Sequence, residues 1–512
     1  MSDRVRTRPD TYVDSVLLMS ATRAMQQSPG VRWAAALMGT PANVEGLIEQ
    51  GFERATIGRA EANDLVLAAR ADTPEHAESA LDTALEALIE KAPAGEGRRE
   101  RRPRTMEEAR RDLKEANVAL ISVPGAFAGL EAQKALSAGL HVLLFSDNVP
   151  LETEVALKRR AAEAGLLLMG PGAGTAMLGG AGLGFANAVR RGPVGIVAAA
   201  GTGAQEAMSL LHRWGTGVSQ VIGVGGRDLS ETVGAKMARR ACEALEADPG
   251  TEVILLVSKP PSETVARSLL AQLRGKPAVA CFVGLDAKTD LPAKVTVART
   301  IERACARAME ILGIVPAGSS PGLAPVVREA IARLGPERSA VRGLYSGGTL
   351  CYEAMTVMAP RLGAIHSNTP LRPEWGLPPP PGAHACLDLG DEEFTRGRPH
   401  PMIDPEPRAE RIAEEAATPE TAVLLIDVVL GYGAHPDPAS VLAPACARAA
   451  ARPGGPAVVA YVLGTDRDSQ DCEAQRRRMR EAGCILAPTS ARAALMAAAI
   501  AARQPSIAEE TS

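Results

Sequence analysis

Apolar and polar positions alternate along this chain in three successive styles. In the first ninety or so residues, short apolar runs at Tyr12–Met19, Trp33–Met38 and Asp64–Arg70 predict strands. Between them, Ala21–Gln27, Pro41–Gln50 and the amphipathic Pro74–Lys91 predict helices. Short strands mixed with helices suit a small ferredoxin-like α+β unit over residues 1–97. The run Ala94–Arg104, rich in Gly, Arg and Glu, reads as a solvated linker. From Thr105 the style changes to strict alternation. Val118–Val123, Val142–Phe145 and Leu166–Met169 predict strands, and Glu131–Ala138 and Leu151–Ala164 the helices between them. Strands separated by helices of this length mean a parallel sheet, here a short Rossmann-like domain over residues 104–192.

The third style is a repeat. Gly201-Thr-Gly-Ala-Gln-Glu-Ala-Met208 is answered by Gly348-Thr-Leu-Cys-Tyr-Glu-Ala-Met355, and each comes after an apolar run, Val194–Ala200 and Val341–Gly347. Each copy therefore predicts a strand, a Gly-rich turn and the first turn of a helix. The downstream elements of the two copies match in order and type. The first copy continues with a strand at Val221–Gly226, a helix Ser230–Leu245, a strand Thr251–Ser258, a helix Ser262–Arg274 and a strand from Lys276. The second continues with strands at His384–Gly390 and Thr421–Gly431, a helix Ala439–Ala451 and a strand Gly455–Gly464. Residues 193–335 and 338–503 thus read as two copies of one flavodoxin-like α/β domain. The second carries an insertion over residues 365–407, stiffened by Pro378–Pro381. A helix N-terminus presents unpaired N–H groups and partial positive charge to an anion, so two of them could clamp one phosphate or carboxylate.

Composition narrows the options. Aromatic residues make up only 3% of the chain, so the cores must be aliphatic. A formal net charge of −4 argues against nucleic acid or an anionic membrane as the main partner. The eight cysteines form no CxxC pair or ligand-like cluster, which fits reduced, buried thiols and predicts no metal site. With no signal-like start and no apolar run long enough to span a bilayer, the expected location is cytoplasmic. No Walker-type Gly-rich loop occurs, so this chain alone is not expected to be a nucleotide-driven ligase.

Val118-Ala-Leu-Ile-Ser-Val-Pro-Gly-Ala-Phe127, Ala138–Pro150 and Met169-Gly-Pro-Gly-Ala-Gly174 resemble the Rossmann half of the succinyl-CoA synthetase α-subunit. Gly195–Gly203 and Val221–Gly226 resemble its ligase half, and Tyr345–Ala354 resembles the matching domain of the β-subunit, fused into the same chain. Together with Gly433-Ala-His-Pro-Asp-Pro-Ala439, the set resembles the FdrA family of acyl-CoA-synthetase-like proteins. In the synthetase two facing helix N-termini hold a phosphohistidine. The resemblance therefore implies that Gly201, Thr202, Gly203 and Ala204, with Ser346, Gly347, Gly348, Thr349 and Leu350, cradle a phosphoryl group. Gly172, Gly174 and Asp427 belong to the same expected substrate site. Here the chain departs from the family. Where the synthetase carries Gly-His-Ala-Gly, this sequence reads Phe282-Val-Gly-Leu-Asp-Ala-Lys-Thr-Asp-Leu-Pro292, without histidine. The turn Pro124-Gly125 offers a single glycine, a weak cradle for the diphosphate of CoA.

What remains is a clamp for free phosphate. The family resemblance implies a subunit of an oxamate carbamoyltransferase in purine (allantoin) breakdown, in which oxalurate and inorganic phosphate give oxamate and carbamoyl phosphate. It also implies other protein subunits or a homo-oligomer. Candidate catalytic helpers are Lys259 and Arg227, at C-terminal strand edges where α/β sheets bind ligands, and His435, in the Pro-flanked turn. His366, Asp388, Asp391, Arg396, Arg398 and His400 of the insertion could bind a carboxylate substrate or a metal, but without recognised ligand spacing they are expected to be mostly surface residues. Two alternatives stand beside this reading: an acid–CoA ligase needing a separate nucleotide-binding subunit, and a non-catalytic regulator derived from a synthetase.

Overall fold

The computed structural model describes residues 2–510 apart from 12, 14, 91–102, 104, 284–290, 317–321 and 396–398. The linker and most of the segment at which the synthetase carries its phosphohistidine lie outside these residues. The chain divides into two compact units, Met1–Arg102 and Pro103–Ser512.

The first unit is a three-stranded antiparallel sheet in the order Ser2–Arg8, Leu65–Ala71, Val31–Met38. The helices Ser15–Gln26 and Pro74–Glu90 pack on one face through Ala21, Met25, Ala77, Ala80 and Leu81. Tyr12–Met19 was expected to be a strand, but Ser15–Gln26 is helical and the first strand is Ser2–Arg8. The apolar residues of that stretch recur at helical spacing, so Leu18, Ala21 and Met25 share one buried face. In Ser2–Arg8, by contrast, charged residues alternate along an edge strand, which hides its signal.

The second unit holds three sheets. The Rossmann-like sheet is parallel and three-stranded: Val118–Ile121, His141–Leu144, Leu168–Met169. The second sheet runs Val295–Val297, Ala278–Phe282, Val253–Ser258, Arg191–Ala198, Val218–Gly223 and then Thr175–Leu178 and Ala181–Gly184. That last hairpin precedes residue 193 but is antiparallel to Val218–Gly223, so the first copy borrows strands from the preceding segment. The third sheet, all parallel, runs Ile365–His366, His384–Asp388, Ala340–Tyr345, Thr421–Val429, Ala457–Leu463, Ile485–Leu486. Part of the expected insertion therefore supplies two strands to this sheet. The helix Ala324–Arg333, which precedes the second copy in sequence, packs into its core through Val327 and Ala330.

Helix starts differ from expectation at two places. Lys236–Ala247 begins later than the predicted Ser230, and Gly125–Ser137 begins earlier than the predicted Glu131. Asp228 explains the first: its carboxylate accepts from the N–H groups of Met237 and Ala238, fixing the helix start there. The same Asp228 pairs at 2.8 Å with the fully buried Lys158, which also lies 2.8 Å from Glu154. This buried cluster joins the Rossmann-like segment to the first ligase-like domain.

Candidate functional site

The two repeated motifs end up against each other. In both copies the strand before the motif, Arg191–Ala198 or Ala340–Tyr345, lies inside its sheet, and the helix after it starts at the C-terminal edge. We call Gly201–Arg213 and Gly348–Leu362 the clamp helices. A Cβ added to Gly203 would lie 2.9 Å from Cγ2 of Thr349, and one added to Gly347 would lie 2.9 Å from Cγ2 of Thr202. The helix N-termini thus touch across the two copies, and glycine is what permits that approach. Thr202 and Thr349 are buried at the contact.

The donors are not the full expected set. In the first helix Ala204 N already donates to Ala200 O at 3.0 Å, which leaves Gly201, Thr202 and Gly203 as the N–H groups ahead of the helix ladder. In the second, Cys351 N donates to Gly347 O at 2.9 Å, which leaves Gly348, Thr349 and Leu350. Neither helix start is capped by a side chain.

Ser346, Gly347 and Asp427 were expected to contact phosphate, and the structure gives them another task. Asp427 is fully buried and accepts from Ser346 N at 2.8 Å, from Ser346 Oγ at 3.1 Å and from Gly347 N at 2.9 Å. Arg408, buried beside it, donates at 2.8 Å. A buried carboxylate needs such donors, so the loop's N–H groups serve an internal anion rather than a ligand. The strand position held by Asp427 in the second copy is held by apolar Val257 in the first, where Val257 packs on Gly203. The copies match in fold, but only one has an internal anion at the turn.

Lys259 does reach the cradle. A Cβ on Gly348 would lie 3.0 Å from Lys259 Nζ and 2.1 Å from Asp388 Oδ2. Lys259 and Asp388 form an ion pair at 3.6 Å, with Lys259 partly open to solvent and Asp388 almost wholly buried. Asp388 was expected on the surface. Its burial pushes the carboxyl above the usual carboxylate range, and the Lys259 ammonium opposes that. Two helix N-termini and a Lys ammonium converge here. Asp388 already supplies one carboxylate among these positive groups.

Other expected residues lie elsewhere. Arg227 turns to the Rossmann-like segment, pairing with Glu154 at 2.8 Å and donating to Val149 O at 2.8 Å. Arg227→Ala is accordingly expected to lower the melting temperature while leaving anion affinity unchanged, measured by titration calorimetry with sulfate. His435 is held by its own turn: Nδ1 accepts from Asp437 N at 3.0 Å, and its backbone N–H donates to Met402 O at 2.8 Å. Gly172 has a φ of 65° and lies against Asp147, whereas Gly174 lies near Phe185. Gly201 contacts the same hairpin through Thr175, whose Oγ1 would be 3.6 Å from an added Cβ. His400, also expected at the surface, is largely buried. Its Nδ1 accepts from Met402 N at 3.2 Å, its ring lies 5.8 Å from that of Phe185, and burial drops its pKa to about 4. His366 bonds Gly376 O at 2.9 Å, Asp391 caps its own turn, and Arg396 and Arg398 lie outside the described residues.

Sequence reasoning missed the second half of the repeated motif. Glu206 and Glu353 are buried at 1% exposure each, so they are not solvated helix positions. The repetition of Glu-Ala-Met was the signal available, and in the sequence it marks only the duplication.

Among the described residues, no cluster of His, Cys, Asp or Glu could hold a metal, and no helix is long and apolar enough to cross a membrane.

Comparison with known proteins agrees with this architecture. Residues 344–500 match the CoA-ligase family, and residues 1–104 match the AllF heavy metal-associated domain. The chain is 41% identical to the uncharacterized protein YahF of Escherichia coli, over 97% of this chain and 98% of that one. It is 29% identical to the SauD subunit of the ADP-forming sulfoacetate-CoA ligase of Bilophila wadsworthia, over 35% of this chain and 64% of that one. With the α-2 subunit of the ADP-forming succinate–CoA ligase of Archaeoglobus fulgidus it shares 31% identity, over 34% and 61%. Residues 1–104 contain no cysteine and a single histidine, His76.

Proposed function

Because the chain belongs, with Escherichia coli YahF, to the FdrA-like family of acyl-CoA synthetase-like proteins, we propose that it is a subunit of a phosphate-dependent carbamoyl or acyl transferase, with phosphate held between the clamp helices. The observation that carries this reading is the convergence of two uncapped helix N-termini and Lys259 on one spot. Donors fixed in advance stabilise charge on a transferring group without reorganising. In the oxamate carbamoyltransferase form, a phosphate oxygen attacks the ureido carbon of oxalurate and the C–N bond breaks. The departing oxamate nitrogen takes the proton released by hydrogen phosphate. Positioning of the two reactants is the main demand on the protein.

We infer that CoA is a poor fit at the Pro124-Gly125 turn, where a single glycine would face its diphosphate. A Cβ on Gly125 would lie 2.3 Å from Asp147 O and 2.5 Å from Asn148 O, so only glycine lets the neighbouring loop pack this closely. A second reading, an acid–CoA ligase acting with a separate nucleotide-binding chain, is supported by the CoA-ligase match over residues 344–500.

The assay that separates the two supplies oxamate and carbamoyl phosphate to the purified chain, with and without candidate partner subunits. Phosphate release without nucleotide or CoA is expected. Product that forms only when both nucleotide and CoA are present would replace the first reading by the second.

A further inference from the structure

Glu206 and Glu353 occupy the same place in the two copies, on the clamp helices just beyond the cradle. Each reaches into the other copy. Glu353 accepts at 2.7 Å from the N–H of Ile301, the first residue of the first copy's last helix, Ile301–Ile311. Glu206 accepts at 3.3 Å from the N–H of Ser490, the first residue of the second copy's last helix, Ser490–Ala501. Both recipient helices open in the same way. Thr300 caps Arg303 N, Thr489 caps Arg492 N, and Glu302 joins the two ends by pairing with Arg492 at 3.2 Å and accepting from Thr489 Oγ1 at 3.0 Å.

We propose that Glu206 and Glu353 are positioning residues: by capping each other's domain they hold the clamp helices at their working separation, and this lock is proton-dependent, so that the clamp loses anion affinity in alkaline solution. The proposal rests on the anion-clamp reading above.

The surroundings of the pair supply the proton dependence. The charged groups acting on Glu353 are carboxylates, Glu206 from the facing clamp helix and Glu302 from the capped helix. Its own strand and the first sheet bring only the neutral Tyr345 and Cys281, and the capped helix adds Cys305. Glu353 also meets the buried Ser490 hydroxyl, which, like the Ile301 N–H, favours its ionised form. Glu206 faces Arg213 on its own helix and the Tyr461 hydroxyl from the second copy's sheet, with Glu302 beyond. Burial, then the Glu206 carboxylate, raise Glu353 to about 8, against the Ile301 N–H and the Ser490 hydroxyl. Burial raises Glu206 as well, opposed by Arg213 and Tyr461. A carboxyl whose folded pKa is raised stabilises the folded arrangement at low pH, and that stability is lost as pH rises through about 8.

Sulfate is the suitable probe because its charge is constant in this range. Wild-type affinity at pH 9 is expected to be about tenfold weaker than at pH 7. Glu353→Gln cannot ionise at this position and should show a clearly smaller alkaline decline than wild type between the same two pH values. A wild-type affinity that does not change with pH, or an equal alkaline decline in Glu353→Gln, overturns the proposal. If the wild-type chain binds no sulfate at either pH, the clamp reading fails. Hydrogen exchange at Ile301 and Ser490 still tests the lock in that event. Exchange that speeds up at pH 9, beyond the intrinsic rate, in wild type but not in Glu353→Gln supports it, and identical exchange in both overturns it.

Discussion

Gly348→Ala is expected to remove most of the anion affinity of the clamp while the protein stays folded. An added Cβ would meet Asp388 Oδ2 at 2.1 Å and Lys259 Nζ at 3.0 Å, so the methyl must displace the ion pair that sets Lys259 at the helix start. The N–H of residue 348 survives, and Lys259 is partly solvated, so the fold tolerates the shift. Losing one charge-assisted contact costs about 1.5–3 kcal/mol, equivalent to a loss of roughly ten- to a hundredfold in affinity. Gly201→Ala is the control. Its Cβ would meet Thr175 Oγ1 at an ordinary 3.6 Å, and the helix N–H remains. Titration with phosphate should therefore show a loss at position 348 and near wild-type binding at position 201. Equal behaviour of the two variants would mean that Lys259 contributes nothing. The sequence alone makes the two glycines equivalent, and only the packing around each separates them.

Asp427→Ala should be the most destabilising single change near the site. It strips the acceptor from Ser346 N, Ser346 Oγ and Gly347 N and leaves Arg408 buried, at 2% exposure, without its carboxylate. Breaking a buried pair from one side costs about 3–5 kcal/mol. Denaturant unfolding should show that loss, and Asp427→Asn should recover part of it, because an amide oxygen can still accept one of the loop donors. A variant as stable as wild type would return Asp427 to the role of a ligand contact. Asp427 stands at the C-terminal end of a strand beside a Gly-rich turn, where a ligand-binding carboxylate and a loop-holding one look alike in sequence. What distinguishes them is Arg408, which approaches from a helix after the expected insertion.

Strand and helix periodicity, together with the repeated Gly-Thr-x-x-x-Glu-Ala-Met motif, were enough for the α/β class and the glycine-opened helix starts. These are local properties: alternation sets burial within an element, and a Gly-Thr turn after an apolar run has few other readings. The Ser2–Arg8 strand escaped because a charged edge strand lacks the apolar pattern. The hairpin Thr175–Gly184 and the helix Ala324–Arg333 belong by chain position to one segment, and they pack with the neighbouring one instead. Which polar groups face a ligand was not legible, because that depends on which neutralising partner arrives from far along the chain. Arg227 found Glu154, Asp427 found Arg408, and Lys259 found Asp388 beneath Gly348. By itself the sequence determined that two glycine-opened helix starts exist. The tertiary structure decided that they meet, which of their donors remain open, and that the glutamate one turn further on caps the opposite domain, since each of these rests on contacts between residues far apart in the chain.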